Sequence, residues 1–234
     1  KPTPAALGFA KKNGVPVAAL EKRDNYIVAV VRETGRPAPE VLREALPKLT
    51  AAIKFDKAMR WNGSGAVFSR PIRWLVGMVG EEVLHFEYAG VQSGSVTRGL
   101  RPFGSPEIRI EAADQYVQII RDNGIVLDAT ERRAATEAGV TRLASGAGGE
   151  ALVQPELLAE VTNLVEHPTP LHGQFDRTYL TLPRKVLLAS MAKHQRVFAL
   201  EDRHGKLLPA FVAVLDGAPR KPDPVRRVHE PILN

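Results

Sequence analysis

Residues 59–74 read MRWNGSGAVFSRPIRW. The stretch holds both tryptophans, Trp61 and Trp74, and three arginines, Arg60, Arg70 and Arg73, set around Asn62-Gly63-Ser64-Gly65. A core strand buries Val, Ile and Leu and carries little charge, so this composition marks something other than plain core. An arginine beside an aromatic ring can stack on it, and its planar donor fork suits phosphate oxygens. The glycine run lets two backbone segments approach closely and reads as the turn of a hairpin. Two readings stand side by side here. The arginines are either solvated or paired with carboxylates, or they form a phosphate-facing surface. The glycine run itself could bind an anion through its backbone N–H groups.

Outward from this stretch the chain is β-rich. Ile72–Val79 and Val83–Tyr88 flank Gly80-Glu81-Glu82, the pattern of a hairpin. Residues 90–101 are polar and glycine-rich, with Arg98 and Arg101 either side of Gly99. Ala113, Tyr116, Val117 and Ile120 share a helical face that Asn123-Gly124 stops. Asp128 with Glu131 reads as a capping pair opening the next helix. That helix, to about Ala144, carries Arg132, Arg133 and Arg142 and few large apolar residues, so the pattern places it on the surface. Ser145–Gly149 reads as a flexible link. Pro155 opens an amphipathic helix with Leu157, Leu158, Val161, Leu164 and Val165 inward.

Pro170–Phe175 reads as a short strand or loop. Pro183 starts a helix that buries Leu187, Leu188 and Met191 and gathers Lys193, His194 and Arg196 at its end. Cations there satisfy the helix dipole or face a phosphate; the pattern alone does not separate the two. Val197–Leu200 and Leu207–Leu215 form a hairpin, the second run apolar throughout and hence a buried strand, with Pro209 near its start or at an edge.

Before the opening stretch, Pro4–Lys12 reads as a helix with Gly14 past its end, Tyr26–Val31 as a strand and Arg36–Pro39 as a turn. Val41, Leu42, Ala45, Leu46, Leu49 and Ile53 then recur at helical spacing, and Pro47 kinks that helix or opens a second. Three regions follow: 1–57, an entry segment; 58–217, the main domain; 218–234, a Pro-rich basic linker. Hairpins and helices in separate runs give an α+β fold, β-hairpins and a mixed sheet packed with several helices.

The chain has 234 residues, no cysteine and a net charge of +6. Disulfides and thiolate metal sites are excluded, and a polyanionic partner is favoured. No apolar run approaches the ~20 residues of a membrane span. No phosphate loop, dinucleotide fingerprint or G-x-S-x-G elbow occurs. Among the six histidines, His167 and His172 cluster near Glu166, but their spacing does not put two ligands on one helical face. The sequence opens at Lys1 rather than at a methionine, which reads as an internal piece of a longer protein.

Four strings in order resemble one family. MRW followed by a glycine turn and RPIRW, then GVQSGSVTRG (90–99), LPRKVLLASMAKHQ (182–195) and GKLLPAFVAV (205–214) are similar to the β subunit of bacterial two-subunit, α2β2, glycyl-tRNA synthetases. The family pattern after the Thr-Arg-Gly is similar to His-Arg-Phe. This chain has Leu100-Arg101-Pro102, so only Arg98 and Arg101 carry over. The resemblance implies a fold like the editing module of the phenylalanyl-tRNA synthetase β chain, in a cytoplasmic class II ligase. ATP and Mg²⁺ belong to the α subunit, with no cofactor in this part. The implied partners are glycine-specific tRNA and the α subunit. The candidate tRNA contacts are Arg60, Arg70, Arg73, Arg98, Arg101, Lys193, His194 and Arg196, with no catalytic or metal residue expected. Hydrolytic deacylation of mischarged tRNA and a purely structural role are the alternatives.

Overall fold

A computed structural model of the chain describes residues 2–31 and 34–217. The chain divides into two compact units, Lys1–Leu49 and Thr50–Asn234. The predicted linker 218–234 lies outside the described residues.

In the first unit, helix α1 (Pro4–Lys12) forms as its punctuation predicts. The Thr3 hydroxyl accepts from the Ala6 N–H at 3.3 Å, Pro4 sits where a missing N–H costs nothing, and Gly14 turns the chain away at φ +65. Strands β1 (Leu20–Arg23) and β2 (Tyr26–Ala29) pair antiparallel. Helix α2 (Ala38–Ala52) is continuous, with Pro47 inside it rather than opening a second helix. The turn expected over Arg36–Pro39 is half replaced by that helix, because Pro39 fits a first turn, where no N–H bond is due. Arg36 precedes the helix and pairs with Glu40 and Glu44 on it.

The second unit opens on a loop closed by one antiparallel bridge, Met59 to Phe68, with N···O distances of 2.8 and 3.2 Å. Seven short strands follow: β3 (Leu75–Val76), β4 (Met78–Val79), β5 (Glu82–Val83), β6 (Glu87–Tyr88), β7 (Val91–Gly94), β8 (Val96–Arg98) and β9 (Glu107–Arg109). The predicted hairpin survives as β4–β5, turning at Gly80. It is shorter than its sequence suggests because β3 pairs in parallel with β7 instead. β6 reaches β7 through Ala89-Gly90, both left-handed. The glycine-rich run 90–101 is therefore mostly strand. Buried Ser93 ties it in: its hydroxyl donates to the Leu84 carbonyl at 2.6 Å and accepts from the Phe86 N–H at 2.8 Å.

Helix α3 (Tyr116–Asp122) buries Ile120 and ends at Asn123-Gly124 as expected, although Val117 stays exposed. Helix α4 (Ala129–Gly146) starts where the Asp128 carboxylate accepts from the Glu131 N–H at 2.8 Å. It then departs from expectation. Thr136, Gly139, Val140 and Ala144 are buried, so α4 is a core helix whose packing face consists of small residues. It runs on through Ser145 and Gly146, which shortens the expected link. β10 (Glu150–Ala151) and helix α5 (Pro155–Leu164) follow; Leu157, Leu158 and Val161 point inward, whereas Leu164 is exposed.

β11 (Pro168–Gln174), helix α6 (Arg184–Ala189), a π-helical turn (Ser190–Gln195), β12 (Phe198–Glu201) and β13 (Leu207–Asp216) complete the unit. The main sheet has the antiparallel order β10-β12-β13-β11. Alternation sorts its side chains: Phe198, Leu200, Ala210 and Val212 meet Val140, Leu157 and Leu158, while Val197, Ala199, Phe211 and Ala213 meet Leu187 and Met191. β13 is thus covered on both faces, which is why its sequence is apolar throughout. Pro209 lies near its start, where the β12–β13 register shifts between Ala199 and Glu201. Among the described residues no helix is long and apolar enough to cross a membrane.

Candidate nucleic-acid interface

Strand pairing brings two of the sequence-predicted arginines to one ring. Arg73 precedes Trp74 in the chain, and its guanidinium carbon lies 5.3 Å from the Trp74 ring centroid. Arg98 arrives from β8, and its guanidinium carbon lies 6.0 Å from the same centroid. The two differ in restraint. Arg98 is held by Glu107 at 2.6 Å and donates to the Ser105 carbonyl at 3.3 Å, because the β8–β9 register puts residue 98 opposite residue 107. Among the described residues, Arg73 has no carboxylate partner. Trp74 is half-buried and lines an open groove of about 460 Å³ together with Leu75, Met78, Thr97, Ile110 and Tyr116.

The other candidates fall elsewhere. Arg60 and Arg70 are exposed, beside the Met59–Phe68 bridge, without a carboxylate partner among the described residues. The glycine run between them does not form an open anion nest. The Asn62 side-chain oxygen accepts from the Ser64 N–H and hydroxyl, the Ser64 hydroxyl accepts from the Ala66 N–H, and the Asn62 amide donates to the Ala89 carbonyl at 2.8 Å. Those groups fasten the loop. Lys193 and His194 are exposed in the π turn. Arg196 closes that turn in a left-handed conformation, φ +53, and binds Glu160 on α5 at 2.6 Å, so it joins two helices.

Arg101 stands near a different feature. The Asp216 carboxylate accepts from the N–H groups of Glu166 and His167 at 2.8 and 2.9 Å. Burial pushes the Glu166 carboxyl above its ordinary range and Asp216 adds to the effect, with Arg101 and Arg132 pulling the other way. The His167 Nδ1 is 2.5 Å from the Gly124 carbonyl. Leu100, at the position where the family pattern has histidine, is buried in an apolar cluster with Ile120 and Ile125. Among the described residues no group of three His, Asp or Glu side chains is placed to hold a metal ion.

Arg132 shows what the sequence did not. It lies on the helix read as exposed, yet its guanidinium donates to the carbonyls of Val126 and Thr162 and ties α4 to α5. Glu107, Ile110 and Tyr116 were also missed as parts of the groove. Only the Glu107 contribution left a trace, as an opposite charge across a hairpin from Arg98.

Comparison with known proteins agrees with the resemblance. The family profile described as glycyl-tRNA synthetase beta subunit matches residues 1–234. A chloroplastic/mitochondrial glycine–tRNA ligase of Arabidopsis thaliana is 41% identical over 99% of this chain and 22% of its own length. Glycine–tRNA ligase beta subunits of Moorella thermoacetica and Clostridioides difficile are 40% and 37% identical over 100% and 99% of this chain, each over 34% of its own length. The chain thus spans about a third of those bacterial relatives. The match runs from end to end and includes the Trp74 groove: the chain belongs to the glycyl-tRNA synthetase beta subunit family.

Proposed function

We propose that this chain is part of a glycine–tRNA ligase and serves it as a tRNA-binding and scaffolding module. The observation that carries the reading is the convergence of Arg73 and Arg98 on Trp74 at the edge of an open groove. Guanidinium groups supply charge and bidentate geometry for phosphates, and an indole supplies a stacking face, a combination that suits RNA better than a small metabolite. Region 58–217 is the docking domain, with 1–57 as entry and 218–234 as linker. The fold is used as in a phenylalanyl-type editing module, but for docking. The α subunit is the expected partner and holds the class II adenylation site with its ATP and Mg²⁺, and the enzyme works in the cytoplasm.

Phosphate contacts release counterions, so each one adds about 0.7–0.9 to the slope of log affinity against log salt. Replacing Arg73 and Arg98 by alanine in the complete enzyme is expected to weaken tRNA binding and to flatten that slope by one to two units. An unchanged slope defeats the reading.

The module is proposed to be non-hydrolytic. A methylene discriminates by only about 10–200-fold in a binding pocket, which makes editing useful against smaller competitors. Glycine has no smaller competitor, and a tight pocket rejects alanine by overlap. Alanyl- and seryl-charged glycine tRNA are expected to survive equally with the complete enzyme and with one lacking region 58–217. Deacylation lost with the region while tRNA binding remains would contradict this.

A further inference from the structure

We propose that the Trp74 groove receives a single unpaired nucleotide, with its base against the indole and its phosphate at Arg73. The inference rests on the tRNA-binding reading above and narrows it to one chemical class. Its size comes first: about 460 Å³ falls within the ~300–1,000 Å³ of sites that enclose small organic groups, which is too confined for a double helix. The walls come second. Trp74 and Tyr116 offer rings, Leu75, Met78 and Ile110 are apolar, and Thr97 brings a hydroxyl. A base within a helix has both faces covered by its neighbours, so it can lie on such a wall only after leaving the stack or at an unpaired end.

The charges set the direction. Arg73 and Arg98 stand beside Trp74, whereas Glu111 and Asp114 flank the opposite lining residues Ile110 and Ala113 in the chain. The phosphate therefore belongs at the tryptophan end. Of the two cations there, Arg98 is already neutralised by Glu107, and its restraint fixes the guanidinium against the ring. It is a positioning residue. Arg73, with no carboxylate partner among the described residues, is the one available to the phosphate.

The test uses the complete enzyme with labelled tRNA bound. The unlabelled competitors are a short single-stranded RNA and the same strand annealed into a blunt duplex. The single strand is expected to compete at about 10-fold lower concentration than the duplex, as removal or supply of one aromatic stacking face implies. Trp74→Ala is expected to abolish that preference, and Trp74→Phe, which keeps a ring face, to retain most of it. Equal competition by both RNAs, or a preference that survives Trp74→Ala, overturns the inference. So does equal loss in Trp74→Phe and Trp74→Ala, which would point to packing. If Arg73→Ala and Arg98→Ala leave tRNA binding untouched while the tryptophan-dependent preference persists, the phosphate assignment and the broader reading fail, and base stacking stands.

Discussion

At the scale of single residues, Glu166 is placed against its own chemistry. Burial, with the Asp216 carboxylate behind it, disfavours the charged form and raises its pKa in the folded state. A folded carboxyl that holds its proton more tightly than the unfolded one loses stability as pH rises from the unfolded value through the folded one. Below that window both states are protonated and no penalty exists; above it the penalty is complete. Glu166→Gln is therefore expected to raise the unfolding midpoint at neutral pH and to flatten its pH dependence in the range just above ordinary carboxyl titration. Asp176 and Asp202 have the opposite sign. Backbone N–H groups of Thr178, and of Lys206 and His204, hold them below the usual range, so their contributions fade as pH falls. Only the second kind was legible in sequence, because an Asp two residues before a turn N–H is a local pattern. Glu166 meets Asp216 across 50 residues, and no local pattern encodes that.

Among the elements, α1, α5 and the β12–β13 hairpin could be read directly, since each carries its own punctuation and a sustained apolar period. α4 was misread because its buried face is built of Thr136, Gly139, Val140 and Ala144, which leave no hydrophobic stripe. Small residues serve there because β11 comes close: a Cβ at Gly139 would lie 2.5 Å from the Pro170 ring. A matched pair of substitutions separates helix propensity from packing. Gly146→Ala, with open space around it, is expected to stabilise by roughly 1 kcal/mol. Gly139→Ala gains the same propensity but meets the proline, and overpacking costs about 1–3 kcal/mol, so it is expected to destabilise on balance. Urea midpoints of the two variants should move in opposite directions; a shared gain would remove the close-packing account. The two-residue strands between Leu75 and Gly94 escaped detection for another reason. Their pairing, including the parallel β3–β7 contact, is decided by partners elsewhere in the chain.

For the whole molecule, the groove at Trp74 was half legible. Arg73 and Trp74 are neighbours in sequence, but Arg98 reaches the ring only through the β8–β9 pairing that also brings Glu107. The main sheet, by contrast, followed from its apolar strands, and its borders have a consequence of their own. β10 is two residues long, so that border offers almost nothing to copy. On the other border, Phe175 turns its N–H inward to the Pro209 carbonyl, and by alternation residues 168 and 170 turn theirs outward. Both are proline and have no N–H to give. A chain molecule arriving edge-on finds missing donors where a template for fibril growth would need them. Pro168→Val would restore one donor without touching the Pro170–Gly139 contact. We expect that variant to keep its fold and to form aggregates sooner on mild heating, as followed by light scattering; an unchanged lag would show that the proline border is not what keeps the molecules apart.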